Sequence, residues 1–346
     1  MNMRVGILGH GFIEWGGGLD FLRGICGSLA AVDAGIEMHL LLPVRGPRLR
    51  ARRGWRLAKH GVKRMLHRPS TLGRMPDLRL VREVLVQPGR NLQVHEIDVG
   101  TSAIDAASRR LGLQVLLPSV QPFDARVSVP WLGYIADFQH RHLPQFFHPT
   151  EIAARNSNFA AMLSSARGVI VNARAVAQDI ATFLPGGRAT VTALPFSAAP
   201  DPAWLGTTPP PLQAYSVAAR YFIISNQFWQ HKDHLTAWRA FGRLLPDHGD
   251  VQLVCTGETS DFRNPDHFPA LCRAAQELGI SERVRILGLI PKQDQIALLR
   301  GALAVVQPTR FEGGPGGGSV FDAVALGVPA IASNIAVNVE IDEPTV

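Results

Sequence analysis

Short apolar runs alternate with helix-like stretches along most of this chain, and that rhythm permits few folds. In the first half the runs are Val5-Gly6-Ile7-Leu8, Met38 with Leu40 and Leu42, Val115-Leu116-Leu117, Trp131 with Gly133 and Ile135, and Val169-Ile170-Val171. Residues 221–225, 251–256, 284–289, 304–307 and 330–333 repeat the pattern in the second half. Each run has the length of a strand and is too short for a helix. Strands separated by helices pair in parallel, and the helices then cover both faces of the sheet. The 346 residues exceed the roughly 250–300 at which a single core stops growing. The sequence therefore predicts two doubly wound α/β domains. The proline-rich stretch 198–219, with PDPAW and TPPPLQ, is the natural linker. It separates a first domain of residues 1–197 from a second of 220–346.

The most informative segment, residues 310–333, reads RFEGGPGGGSVFDAVALGVPAIAS. Glu312 follows the strand Ala304-Val305-Val306, at the carboxyl end where open α/β sheets place their ligands. Gly313, Gly314, Gly316, Gly317 and Gly318 let backbone N–H groups approach a diphosphate. Ser319 is placed to cap a helix through Phe321, Val324 and Ala325, whose N-terminus adds partial positive charge. Asp322, one turn into that helix, is placed to accept from a ribose. A loop that merely turns the chain would account for the glycines, but not for an acid on either side of them. The glycines after the first strand are less specific. Gly9-His10-Gly11-Phe12-Ile13-Glu14 begins like a dinucleotide fingerprint but has Glu14 where the third glycine belongs. Gly16, Gly17 and Gly18 precede a helix carrying Leu19, Leu22, Ile25 and Leu29, and a tight turn explains them equally well.

The acid-glycine-acid segment closely resembles the donor-binding signature of retaining glycosyltransferases with the GT-B fold, a group that includes bacterial mannosyl- and rhamnosyltransferases of surface-polysaccharide assembly. In that family the pattern is Glu-x7-Glu, the first acid touching the transferred sugar and the second the ribose. Matching DAVALGVPAIAS to the family's EAMACGTPVIAS-like segment puts Asp322 on the second acid and leaves the loop here two residues longer. Two more segments agree, in the family's order. YFIISNQFWQHKDH, residues 221–234, reads as strand, loop and a helix capped near Asp233, with Lys232 where the family has its diphosphate-binding lysine. Asn226 and Gln227 occupy the region where the family usually carries an arginine. GYIADFQHRHLPQFF, residues 133–147, is similar to an N-domain segment of one branch, with Ala136 where many members carry His.

The resemblance implies two Rossmann-like domains facing a cleft. It implies transfer from a nucleoside-diphosphate sugar to a hydroxyl of a glycan or glycolipid, with retention and without a cofactor or catalytic metal. Lys232 and the 313–319 amides then stabilise the leaving diphosphate, with Asn226, Gln227 and Leu289 on the donor as well. Glu312 orients the sugar. Asp137 and His140, on the first-domain side, are the acceptor-proximal candidates, and Gly16, Gly17 and Gly18 face the cleft. Asp137 can equally hold its own loop by local hydrogen bonds. A nucleotide-sugar epimerase of the same fold and a degenerate sugar-nucleotide-binding protein are the alternatives. Family members usually continue beyond the match to 331–340 with helices that return to the first domain. This chain stops at Val346, so the second domain reads as truncated.

Composition limits the remaining possibilities. The net charge is +7, and the segment from Arg45 to Arg82 is dense in Arg and Lys with Asp77 its only acid. If residues 55–66 are helical, Trp55, Ala58, Val62, Met65 and Leu66 share a face flanked by Arg52, Arg53, Arg56, Lys59, Lys63 and Arg64. That is a basic amphipathic helix suited to an anionic membrane surface. No nucleic-acid motif accompanies the charge. No apolar run approaches the roughly 20 residues of a membrane span, and MNMRVGILGHG reads as a first strand rather than a secretion signal. The expected location is cytoplasmic, peripheral at the inner face of the plasma membrane. Cys26, Cys255 and Cys272 have neither disulfide nor metal spacing and read as buried thiols. His140, Arg141 and His142 beside Asp137 lack the further ligands of a metal site.

Overall fold

The computed structural model describes residues 2–13, 16–33, 35–43, 78–86, 91–98, 100–195, 206 and 209–346. The chain divides into two compact units. One comprises Met1–Ala136, Phe147–Val171 and Ala177–Leu194, the other Asp137–Phe146, Asn172–Val176 and Pro195–Val346. Residues 137–146, which the sequence assigns to the first domain, thus pack with the second unit.

The first unit contains β1 (Arg4–Leu8), α1 (Gly16–Val32), β2 (Glu37–Pro43), α2 (Leu78–Leu85), β3 (Leu92–Ile97), α3 (Thr101–Leu111), β4 (Val115–Ser119) and β5 (Trp131–Tyr134). After the short helix α4 (Gln139–His142), which belongs to the second unit, come α5 (Pro149–Ser165), β6 (Gly168–Val171), α6 (Arg174–Phe183), whose first three residues cluster with the second unit, and β7 (Thr190–Ala193). The seven strands form a parallel sheet in the order β3-β2-β1-β4-β5-β6-β7. Two of these strands were not foreseen. β3 and β7 are the sheet's edges, and their polar-interrupted sequences LQVHEI and TVTA lack the continuous apolar run of strands buried on both faces. Gly16, Gly17 and Gly18 form the first turn of α1 rather than a loop before it.

The second unit contains β8 (Tyr221–Ser225), α7 (His234–Leu244), β9 (Gln252–Thr256), α8 (His267–Glu277), β10 (Val284–Gly288), α9 (Lys292–Gly301), β11 (Val305–Gln307), α10 (Ser319–Ala325) and β12 (Ala330–Ala332). Its parallel sheet runs β10-β9-β8-β11-β12. Alternation along β8 shows how helices cover both faces. Tyr221 and Ile223 pack with Leu298 and Leu299 of α9 and Val320 and Ala323 of α10. Ile224 points the other way, into Trp238 and Phe241 of α7 and Leu271 of α8. The described part of the proline-rich stretch also packs here, through Leu212, Tyr215 and Val217. Tyr215 Oη donates to Asp294 Oδ2 at 2.6 Å.

The chain therefore folds into the two doubly wound parallel-sheet domains that its strand-helix rhythm predicts. Cys26 and Cys255 are buried free thiols, whereas Cys272 is only partly buried. Burial pushes the Cys255 thiol up to about 12. Most of the basic segment, residues 45–77 with the expected helix 55–66, lies outside the described residues. At its end Arg82 is described and ion-paired to Glu96 at 2.7 Å. Among the described residues no helix is long and apolar enough to cross a membrane.

Two buried histidines give this unit an acid limit. His234 is fully buried and stacks on Phe228 with ring centroids 4.2 Å apart, and His231 is almost as buried. Burial, reinforced by the Lys232 charge and by Arg263 near His231 or His267 near His234, lowers both rings to about 3. An unfolded histidine titrates near 6.5. As pH falls below about 6.5 the unfolded chain therefore takes up protons that the folded chain refuses. We expect urea unfolding at about pH 5 to show a loss of about 2 kcal/mol per histidine relative to pH 7.5. A His234→Phe variant should lose less. Equal pH dependence in variant and wild type would contradict this origin.

Candidate functional site

In the second sheet the chain turns from winding one way to winding the other between β8 and β11, which are hydrogen-bonded neighbours. Loops leaving the carboxyl ends of two such strands diverge and leave a crevice, the usual ligand position of open α/β sheets. The segments after these two strands carry Lys232 and Glu312.

Lys232 ends a 3-10 turn, Gln230–Lys232, and its ammonium donates to Glu312 Oε1 across 80 positions of sequence. The two side chains are only 8% and 10% exposed, so the pair is a partly desolvated ion pair rather than a surface one. The two loops are also stitched through their backbones. Arg310 N–H donates to the His231 carbonyl at 2.7 Å, and Thr309 Oγ1, held by the Phe311 carbonyl at 2.8 Å, lies 3.3 Å from the same His231 oxygen.

Behind Glu312 is a buried amide network that the sequence did not reveal. Gln307 Nε2 donates to Glu312 Oε1 at 3.3 Å. Gln307 Oε1 accepts from Asn338 Nδ2 at 2.9 Å, which also donates to the Ser333 carbonyl at 2.9 Å. Asn338 Oδ1 in turn accepts from the Gly316 N–H at 2.9 Å. Gln307 and Asn338 are 0% and 6% exposed, so each hydrogen bond forms where an unmet partner would be costly. No local motif announces either residue; an interior amide at the end of a strand was the only signal.

The glycine loop differs from its expected role. Gly316, Gly317 and Gly318 have φ of +63°, +55° and +94°, which accounts for glycine at all three. Gly316 N–H serves Asn338, and Gly317 N–H turns back to the Gly314 carbonyl at 3.3 Å. These two amides are therefore committed inside the protein. Gly313 and Gly314 N–H groups have no protein acceptor among the described residues. A Cβ on Gly317 would lie 2.9 Å from the Glu312 carboxylate and from Gln307 Nε2. Gly317 thus lets the loop close directly onto the acid. Ser319 begins α10 instead of capping it, the cap position being Gly318. The Ser319 hydroxyl is buried without a partner.

Asp322 lies in α10 and is bridged by Lys292 of α9 at 2.7 Å. Their side chains are 19% and 41% exposed. Lys292 is a third residue that sequence reasoning missed, because it lies 30 positions upstream in a segment without a recognisable motif. Leu289, just beyond β10, is 66% exposed. Asn226 is buried and its Nδ2 lacks a partner, while Gln227 is exposed. Gly257, with φ +132°, lies so close that a Cβ would be 2.2 Å from the Asn226 carbonyl. At the start of α7, Asp233 is the cap residue, with φ +51°, and its side chain accepts from the Thr236 hydroxyl at 2.9 Å.

In segment 137–146, Asp137 Oδ1 accepts from the Gln139 N–H at 2.9 Å. His140 is fully buried and stacks beside Phe138 at 5.8 Å. His142 lies against Phe311 at 5.4 Å, bringing this segment to the loop that carries Glu312. Gly16, Gly17 and Gly18 lie in the first unit, at the start of α1. Among the described residues no group of three or more His, Cys, Asp or Glu converges as metal ligands would.

This two-domain arrangement of parallel sheets is the GT-B fold. It is shared with HepE of Anabaena, solved with UDP and glucose, at TM-score 0.63 and 15% identity over 99% of this chain and 83% of that one. It is shared also with sucrose-phosphate synthase from Thermosynechococcus elongatus, at TM-score 0.60 and 15% identity over 96% and 82%. WaaG, a glycosyltransferase involved in lipopolysaccharide biosynthesis, is similar at 0.59 and 13% over 97% and 82%. No curated protein matches the sequence. Residues 216–345, which carry the site just described, match the family Glycosyl transferases group 1.

Gly317→Ala tests the loop geometry. The left-handed backbone and the contact with Glu312 should together cost about 1–3 kcal/mol in urea unfolding. Gly24→Ala, within α1 and with nothing inside 4 Å of its Cβ, should be neutral or stabilising by up to about 1 kcal/mol. A Gly317→Ala protein as stable as wild type would rule out this packing on Glu312.

Proposed function

We propose that the protein transfers a sugar from a nucleoside-diphosphate donor to a hydroxyl group with retention of configuration, in assembly of a cell-surface polysaccharide or lipopolysaccharide. The observation that carries this reading is the Lys232–Glu312 pair, held at the switch point of the second sheet. A diphosphate arriving there meets the buried Lys232 ammonium, paired with Glu312. As the bond from the anomeric carbon to the phosphate oxygen breaks, Lys232 and the Gly313 and Gly314 amides offset the charge growing on the phosphate. Glu312 then faces the positive charge growing on the sugar ring. Asp322 and Lys292 together present an acceptor and a donor to the ribose. Asp137 and His140 act on the acceptor side by fixing the shape of segment 137–146. We assign no catalytic metal. The neighbouring HepE structures with UDP and UDP-glucose support a nucleotide-sugar donor, and WaaG and the outer-core galactosyltransferase WaaB support a place in surface-glycan assembly.

The ion pair determines which variants are informative. Glu312→Ala would strand a buried ammonium, at about 3–5 kcal/mol, whereas Glu312→Gln keeps an acceptor for Lys232. We expect Glu312→Gln to retain donor binding but to lose about a hundredfold or more in turnover. Lys232→Gln should weaken donor binding as well. Melting-temperature shifts with UDP-, GDP- and dTDP-sugars identify the donor, since binding to the native state alone stabilises it. Wild-type kinetics in both variants would remove the site assignment. Donor binding without turnover on any acceptor would select a binding protein, and epimerised donor without glycoside an epimerase.

The basic segment from Arg45 to Arg82 is proposed to hold the enzyme at an anionic membrane surface, with each Lys or Arg near the lipid worth about 1 kcal/mol. The protein should sediment with anionic liposomes, release as salt rises, and ignore neutral ones. Replacing Arg52, Arg53, Lys63 and Arg64 by Gln should reduce sedimentation. Salt-independent binding, or none, would remove the claim.

A further inference from the structure

Beside the turn that ends at Lys232, the second unit has a cavity of about 240 Å³ lined by Gln145, Phe146, Gln230, His231, Asp261, Arg263 and Asn264. Its walls are built rather than incidental. Asp261, 5% exposed, accepts from the Gln230 N–H at 3.0 Å and from the Arg263 N–H at 2.9 Å, one on each carboxylate oxygen. Its charge is spent on pinning the turn before Lys232 to the loop after β9. Asn264 Nδ2 then donates to Gln230 Oε1 at 3.1 Å. That bond fixes two planar amides side by side in the lining, and the Gln230 NH₂ group and the Asn264 Oδ1 have no protein partner among the described residues. Arg263 lies flat, its guanidinium 4.7 Å from the Phe262 ring centre and 5.6 Å from that of Trp229.

The chemistry of this lining selects a ligand class. One arginine balances one aspartate, and the His231 ring is held neutral near pH 7 by its burial, so the cavity favours neither an anion nor a cation. A donor and an acceptor on adjoining amides match neighbouring hydroxyls, each of which both gives and takes a hydrogen bond. The Phe146 ring supplies an apolar surface for the C–H face of a saturated ring. At about 240 Å³ the space falls below the roughly 300–1,000 Å³ of drug-sized pockets, which fits one ring rather than a chain. The cavity also adjoins the proposed reaction centre: His231 precedes Lys232, and its carbonyl accepts from Arg310, two residues before Glu312.

We infer that this cavity binds a single neutral pyranose ring, and that it is the subsite for the acceptor sugar. The first part stands on the cavity alone; the second rests on the glycosyl-transfer reading. The test uses saturation-transfer NMR on the full chain with the methyl α-glycosides of glucose, galactose and mannose, without nucleotide. At least one should show transfer to its ring protons. Asn264→Ala and Gln145→Ala should each weaken that binding about tenfold while retaining the wild-type melting temperature and the UDP- or GDP-induced shift. Inorganic phosphate should not displace the glycoside. No transfer from any of the three, transfer unchanged in both variants, or displacement by phosphate would overturn the subsite. Glycoside binding that depends on Asn264 in a chain that gives no shift with UDP or GDP would uphold the cavity and overturn the donor reading.

Discussion

An ammonium and a carboxylate taken out of water must each be held where the other can reach, and the second unit is organised around meeting that demand for Lys232 and Glu312. The desolvation of the two groups costs several kcal/mol each, and only good geometry with further hydrogen bonds offsets it. Gln307 supplies one such bond to Glu312, Asn338 holds Gln307, and Gly316 holds Asn338. The left-handed glycines, the buried amides and the backbone bond from Arg310 to His231 are all consequences of closing this one contact. On the Glu312 side the protein therefore uses its own amides to hold the acid. The Lys292–Asp322 side is more open, and its partners are partly solvated.

On the proposed glycosyl-transfer reading, that asymmetry suits a group-transfer centre. The part facing the reacting carbon needs fixed charges that do not reorganise as charge develops. The part facing a ribose needs groups that can exchange an internal partner for a ligand hydroxyl. On that reading Lys292 and Asp322, which bridge each other at 2.7 Å, would exchange that contact for a ribose hydroxyl.

The strands buried on both faces were legible because continuous apolar runs leave few other readings, and both domain cores followed from them. β3 and β7 escaped notice because an edge strand is buried less and so tolerates polar residues. At the site, Glu312, Lys232 and Asp322 stood out through their glycines and neighbouring motifs. Gln307, Asn338 and Lys292 did not, since their importance comes from a contact and not from a pattern. Ser319 shows the limit of local signals. A serine ahead of a helix is a good cap by propensity, but a left-handed Gly318 fits the tight entry onto Glu312 and takes that position. Segment 137–146 shows another limit: chain order suggested one unit, while the segment clusters with the other, where His142 lies against Phe311.

The separation of 80 positions between Lys232 and Glu312 has a consequence for how the protein is made. Domains form as their residues emerge during synthesis, at about 5–20 residues per second. For several seconds the nascent chain holds β8, the Lys232 turn and α7, with neither β11 nor the acid that neutralises the lysine. In that interval the edge of β8 that will pair with β11 is open, and the ammonium must stay in water. Burial of the lysine and completion of the sheet thus become a single late event, so a chain halted before Glu312 has the motif's basic half but no site.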